Sequence, residues 1–283
     1  MCDITLPRPA SHRSAFLCSL RSARLSAFVS FFALFALNMP SCLSIPQMEA
    51  HPFPTTAPVR VVVSSHEPPA NSAAIDAAWA KLLVANPRYF DGPMLSVLHL
   101  DLSTNTIHTR RDRFSRLAVQ PPLNTGVRIC SVTAVLTAHD ATGAQHVLLG
   151  KRSRETRIYA DMWELGPSGG ISVPPPSLHE LTQDMLFANV QDEVSEEVGL
   201  HITAGVPWGI TRDDIAKSDD IVFVCDCGTL DAARAKTSAA NWEYTAVQWL
   251  ATRDIATFDR DHAPAIIGPT RALFRALGWI TQV

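Results

Sequence analysis

Residues 178–200, LHELTQDMLFANVQDEVSEEVGL, constrain the rest of the chain most. At about 100° per residue on a helix, Glu193, Glu196 and Glu197 fall at i, i+3 and i+4, so three carboxylates share one edge of the cylinder. Phe187, Val190, Val194 and Val198 fall on the adjoining face, and Gly199 stands where a helix would end. The pattern predicts a buried stripe with an acidic margin. Like charges at this spacing cost an isolated helix roughly 0.2–0.5 kcal/mol per pair. A hard divalent cation held by oxygen ligands would offset that repulsion; a solvated acidic face is the other reading of the same residues. The segment just upstream, WELGPSGGI at 163–171, favours the cation. Gly166, Gly169 and Gly170 let the backbone approach a ligand closely and reach φ > 0.

DEVSEEVGL resembles the second half of the Nudix box, GX5EX7REUXEEXGU with U aliphatic, and GKRS at 150–153 and WELGPSGG at 163–170 resemble the strand and glycine turn that lead into it. Together they cover residues 126–250. The resemblance implies the α/β class: a Nudix-type α/β/α sandwich with a mixed sheet, carrying a small N-terminal α+β extension. It also implies a metal-dependent hydrolase, using Mg²⁺ or Mn²⁺, that cleaves a diphosphate linkage in a nucleoside diphosphate joined to another group. Glu193, Glu196, Glu197 and a carbonyl of Gly169 or Gly170 would form the metal shell, and Glu193 would ligate a second ion or take the proton of the attacking water. A Nudix-fold domain that binds a nucleotide or partner without cleaving it is the alternative. Three positions depart from the pattern. Asp192 replaces the arginine before the first glutamate, Asp184 replaces the upstream glutamate, and thirteen residues separate Gly170 from Asp184, an eight-residue insertion placed around ISVPPPSL. Its three prolines predict a stiff, extended rim to the site.

Taken in order, residues 1–55 read as a leader. Arg13, Arg21 and Arg24 precede the apolar run LSAFVSFFALFAL at 25–37, which has the form of a secretory signal and is too short for an ordinary membrane span. A start codon assigned too far upstream is the equal alternative, so a cytoplasmic location is expected, or export if the signal is genuine. Residues 56–122 read as the extension lobe, with strands at 59–64, 94–102 and 106–110 and a helix at 71–85. Residues 123–283 read as the hydrolase domain, closed by one helix at 263–277. Cys130, Cys225 and Cys227 are expected to be buried thiols.

A net charge of −3 leaves no electrostatic footprint for nucleic acid. Substrate phosphates would need local cations, and Arg152, closing a strand beside the glycine turn, could grip a diphosphate in two-pronged fashion. Arg110, Arg111 and Arg113 are a second basic cluster, better read as a solvated turn. Trp163 could stack on a base or pack the turn, the second being preferred. Glu243 could ligate a metal or act as a base from the opposite wall, or could serve strand pairing. The expected partner is thus a small nucleoside diphosphate derivative, with no nucleic acid and no stable membrane span, a homodimer being left open.

Overall fold

In this computed structural model residues 48–66, 69–239 and 241–281 are described. The apolar run at 25–37, and with it the choice between export signal and misassigned start, lies outside them. The chain runs β1 (Met48–Pro52), β2 (Arg60–Ser64), α1 (Ala73–Ala85), β3 (Pro93–Asp101), β4 (Thr106–Arg113) and α2 (Phe114–Ala118). It continues through β5 (Ile129–His139), β6 (Gln145–Arg152), β7 (Trp163–Leu165), β8 (Ser168–Gly170), β9 (Glu180–Leu181) and α3 (Gln183–Val198). Then follow β10 (Val206–Asp213), β11 (Ser218–Thr229), α4 (Leu230–Lys236), β12 (Tyr244–Ala251), α5 (Ile255–His262) and α6 (Gly268–Ala276).

All twelve strands join one mixed α/β sheet, the class the sequence predicts. Its path is β1-β10-β11-β5-β3-β4-β2-β9; β6 joins the far end of β5 and carries β7 and β12, and β8 pairs with the near end of β5. The strand β5 is the spine because it is buried on both faces, one lined by Cys130, Val132, Ala134 and Leu136 and the other carrying Val135 among Ser131, Thr133 and Thr137. Cys130, Val132, Ala134 and Leu136 enter one core, where Leu186, Val190, Val194 and Val198 of α3 lie. Val135 enters the other, with Ile255 of α5 and Leu273 and Phe274 of α6. Helices thus cover opposite faces of the sheet. Cys130 and Cys225 are buried free thiols and Cys227 is half-buried.

The buried stripe of α3 begins at Leu186, which has the i, i+4 spacing to Val190, Val194 and Val198; Phe187 is only half-buried and packs against Phe223, ring centroids 5.8 Å apart. Gly199 ends the helix at φ 70°, its N–H donating to the carbonyl of Ser195.

Three expectations need correction. The fold begins before residue 56, because Met48–Pro52 pairs antiparallel with β10 from Met48↔Asp213 to Pro52↔Gly209. The proline insertion is not a free rim: it delivers β9 to β2, with Val61 opposite Leu181, and Arg111 donates to the carbonyls of Pro174, Pro175 and Leu178. The other two arginines of that cluster are also engaged, Arg110 with Asp112 at 2.9 Å and Arg113 with Asp91 at 2.8 Å. Finally, the C-terminal helix is two, α5 and α6, separated by a 3₁₀ turn at Ala263–Ala265. Pro264 and Pro269 lack the N–H that an uninterrupted helix needs and are placed in the first turns of their segments.

Among the described residues no helix is long and apolar enough to cross a membrane. Leu186→Ala should lower stability by about 2–5 kcal/mol, since it empties a fully enclosed site between α3 and the sheet. Urea denaturation is the measurement, and a loss below about 1 kcal/mol would contradict this packing.

Candidate functional site

The glycine turn is ordered by the two strands that flank it. The strand β7 lies against β6, with Gly150 opposite Glu164, and β8 lies against β5, with Val132 opposite Gly169. Ile171 donates to the carbonyl of Cys130, and Ala134 to that of Pro167. This alternation makes Gly169 and Val132 a hydrogen-bonded pair and leaves the Gly170 carbonyl outside the ladder. Of the two candidate carbonyls, Gly170 is therefore the free one.

Gly166, Gly169 and Gly170 do not use positive φ, contrary to expectation. Their smallness serves close approach instead. A methyl group on Gly169 would overlap the Glu193 carboxylate of α3. On Gly166 it would fall 2.5 Å from the Tyr244 hydroxyl, and on Gly150 2.5 Å from the Tyr244 ring. Tyr244 thus fills a slot cut by two glycines, one in β6 and one in the turn between β7 and β8.

That tyrosine donates to Glu164 Oε1 at 2.9 Å, and Arg152 Nη1 reaches the same oxygen at 2.7 Å. Glu164 is 3% exposed. Arg152, expected to grip a diphosphate, therefore holds a buried carboxylate; its Nε has no hydrogen-bond partner. Burial pulls the Arg152 pKa down, but the charge of Glu164 and its hydrogen bond outweigh that and raise it.

Around this knot stand the carboxylates of α3. Glu197 is 2% exposed, Glu193 is half-buried, and Glu196 is exposed. Burial raises the Glu193 pKa to about 7, reinforced by Glu243 and Glu196. Glu197 is pushed well up by burial, then by Glu243, Glu164 and Glu193. Glu243, half-buried on the approach to β12, is raised by burial against the pull of Arg152. Several carboxylates thus crowd one another with Arg152 as their nearby counter-charge. Asp192 and Asp184 are both exposed.

A cavity of about 210 Å³ opens beside the knot. Arg152, Glu164, Gly169 and Glu243 line it; Glu193, Glu196, Glu197, Gly170 and Trp163 do not. Trp163 packs edge-on against Phe258, ring centroids 5.9 Å apart. Sequence reasoning missed Glu164, Tyr244, Arg157 and Asp220. Glu164 stood inside a quoted motif, WELGPSGG, but only strand pairing sets it opposite Gly150 and Tyr244 opposite Arg152. Arg157 and Asp220 carried no signal, because only the tertiary fold brings 153–162 and β11 to one cavity.

Oxygen donors suit a hard divalent ion, and the mutual repulsion of Glu193, Glu196, Glu197 and Glu243 is the kind that a cation relieves. Among the described residues no group of three or more His, Cys, Asp or Glu side chains is drawn together at metal-holding range. The oxygen donors thus suit a hard divalent ion by their chemistry, although the described side chains as they stand do not form a cage around one.

At the far side, Asp220 of β11 faces the cavity. Burial, then Asp213, push its carboxyl up to about 7, against hydrogen bonds to Ser218 and Ser131. The folded protein holds this proton more tightly than the unfolded chain, whose carboxyl has the ordinary value of 3.8. Its contribution to stability is full below that value and is lost as pH rises through about 7. Between about pH 4 and pH 7.5, wild-type urea midpoints should fall relative to those of Asp220→Asn, which cannot ionise. A gap that stays constant with pH would refute this.

No protein-family model matches the chain, and no curated protein matches it in sequence. Its structure matches many solved Nudix hydrolases over about half of its length. One is a MutT protein from Methanosarcina mazei Go1, with 24% identity over 53% of this chain and 91% of that one, TM-score 0.37. Another is a Nudix hydrolase from Alicyclobacillus acidocaldarius, with 14% identity over 53% and 90%, TM-score 0.39. A third is the Nudix domain of Shewanella oneidensis NrtR, solved with ADP-ribose, with 15% identity over 53% and 86%, TM-score 0.38.

Proposed function

We propose that the protein is a divalent-metal-dependent hydrolase that cleaves a diphosphate linkage in a nucleoside diphosphate joined to another group. The observation that carries this reading is the crowding of Glu164, Glu193, Glu197 and Glu243 against one glycine turn beside a cavity. Such crowding raises the folded state's free energy until a cation or a proton neutralises it, and clusters of this kind concentrate at functional sites.

Glu193, Glu196 and Glu197, with the Gly170 carbonyl, would hold the ion. When bound, it would neutralise diphosphate oxygens and lower the pKa of water toward about 7. The chain's own residues do the rest. Glu193, half-buried at the margin of α3, would either ligate an ion or take up the proton of the attacking water at Oε. Arg152 and Tyr244 fix Glu164, and Glu243 lines the cavity as a second acceptor. Tyr244, fully enclosed, keeps bulk water from the base of the site.

Binding without cleavage is the second reading. It is favoured by Asp192, where the box resembled above has an arginine, and by the absence of a ready metal cage among the described residues. The deciding experiment uses the full chain with Mg²⁺ and with Mn²⁺, and follows phosphate or nucleoside monophosphate release from nucleoside triphosphates, dinucleotides, nucleotide sugars and ADP-ribose. Metal-dependent release should fall by at least about 10²-fold in Glu193→Gln and in Glu197→Gln, with chelation abolishing it in wild type. No release from any compound by protein that still binds Mn²⁺ would overturn the hydrolase reading and leave binding.

A further inference from the structure

Beyond the carboxylates, the cavity is lined by Arg157, Tyr159, Asp213 and Asp220. Arg157 is unlike the other cavity arginine. Arg152 is paired with Glu164, whereas among the described residues Arg157 makes no ion pair and one long hydrogen bond, Nη2 to the carbonyl of Ala216 at 3.5 Å. The carboxylate nearest in its field is Asp213, which is already occupied: it accepts from the Tyr159 hydroxyl at 2.7 Å and from the amides of Ile215 and Ala216. Burial depresses the Arg157 pKa, partly offset by Tyr89 and Asp213 and reinforced by Arg152. A guanidinium taken from water without a counter-charge is costly and gives the fold nothing in return.

The loop that carries it is held in place. Tyr159 and Asp161 adopt left-handed backbone at φ 57° and 65°, which side chains other than glycine rarely do. Tyr159 is anchored to Asp213, while Asp161 is gripped by Lys151 at 2.9 Å and Arg154 at 3.1 Å. Arg157 is followed directly by two further cavity-lining residues, Ile158 and Tyr159, on a loop pinned at its far end, so its head is positioned before any ligand arrives.

We infer that Arg157 is a substrate-binding residue whose guanidinium receives an oxyanion, a phosphate or carboxylate carried by the substrate, inside this cavity. The inference takes from the proposed function only that the substrate enters the cavity. At about 210 Å³ the cavity is smaller than the roughly 300–1,000 Å³ of sites for whole drug-sized ligands, so it takes one charged fragment rather than an entire nucleotide. The favoured substrates are those with an anionic group beyond the linkage that is cut, such as a further phosphate, over those ending in a neutral sugar.

The test measures ligand binding by full-length protein in excess chelator, so that metal and turnover play no part. The probes are inorganic phosphate, acetate, ATP and ADP-ribose, read by calorimetry and by melting temperature. Wild type should bind phosphate and ATP; Arg157→Met should bind each at least about tenfold more weakly, and Arg157→Lys should fall between. Preference for acetate over phosphate would identify a carboxylate as the natural group. Without ligand, Arg157→Met should melt at or above the wild-type temperature, because it removes an uncompensated charge. Equal phosphate binding by wild type and Arg157→Met would overturn the inference, as would a ligand-free melting point lowered in both variants, which marks a structural role. Because turnover with metal is measured separately, an inactive wild type that loses phosphate binding in Arg157→Met would sink the hydrolase reading and keep this one.

Discussion

The site depends on one oxygen atom. Glu164 Oε1 accepts both from Arg152 and from Tyr244, and through these two bonds β6, β7 and β12 are fixed to one another at the edge of the cavity. A buried carboxylate needs such partners, since an unpaired charge at that depth costs several kcal/mol. The geometry that supplies them requires Gly150 and Gly166, because any side chain there would occupy the space of the Tyr244 ring or hydroxyl. Two glycines, one tyrosine and one ion pair are therefore a single unit. The carboxylates of α3 lean on it from the other side, with Gly169 as the point of contact.

The helix and the turn were legible in the sequence because their rules are local. Spacing at i, i+3 and i+4 put Glu193, Glu196 and Glu197 on one edge of α3, and Gly199 ended it. The strands β2, β3 and β4 were legible from short runs bounded by turn residues. What stayed hidden is what tertiary contact decides. Arg152 read as a free cation because sequence cannot show that Glu164, twelve residues on, returns to face it across a strand pair. The glycines read as torsionally special, whereas it is the bulk of Glu193 and Tyr244 that selects them. The short strands β1, β7, β8 and β9 have no period long enough to detect and exist because a neighbouring edge completes their hydrogen bonds.

The same distinction separates the two arginines of the cavity. Both follow β-branched or polar residues in an unremarkable stretch, and both are half-buried. One stabilises a buried acid and so belongs to the architecture. The other has no acid within ion-pair range among the described residues, and the fold keeps it half-buried on a loop held by Tyr159 and Asp161. Stability accounts for the first and not for the second, and that asymmetry is how a binding group is distinguished from a structural one.

The proline-rich insertion also changes what the N-terminal strands are for. By placing β9 on β2, immediately before Thr182 and the first turn of α3, it runs a hydrogen-bonded connection from the outermost strand of the extension to the helix that bears the acidic cluster. Phe114 and Leu117, from the same N-terminal half, form part of the cavity wall. Extension and cluster are therefore joined by main-chain bonds as well as by the shared core. A displacement at β2 would reach Glu193 through main-chain bonds rather than through solvent, and slow amide exchange at Val61 and Leu181 would report how firmly the acidic helix is seated.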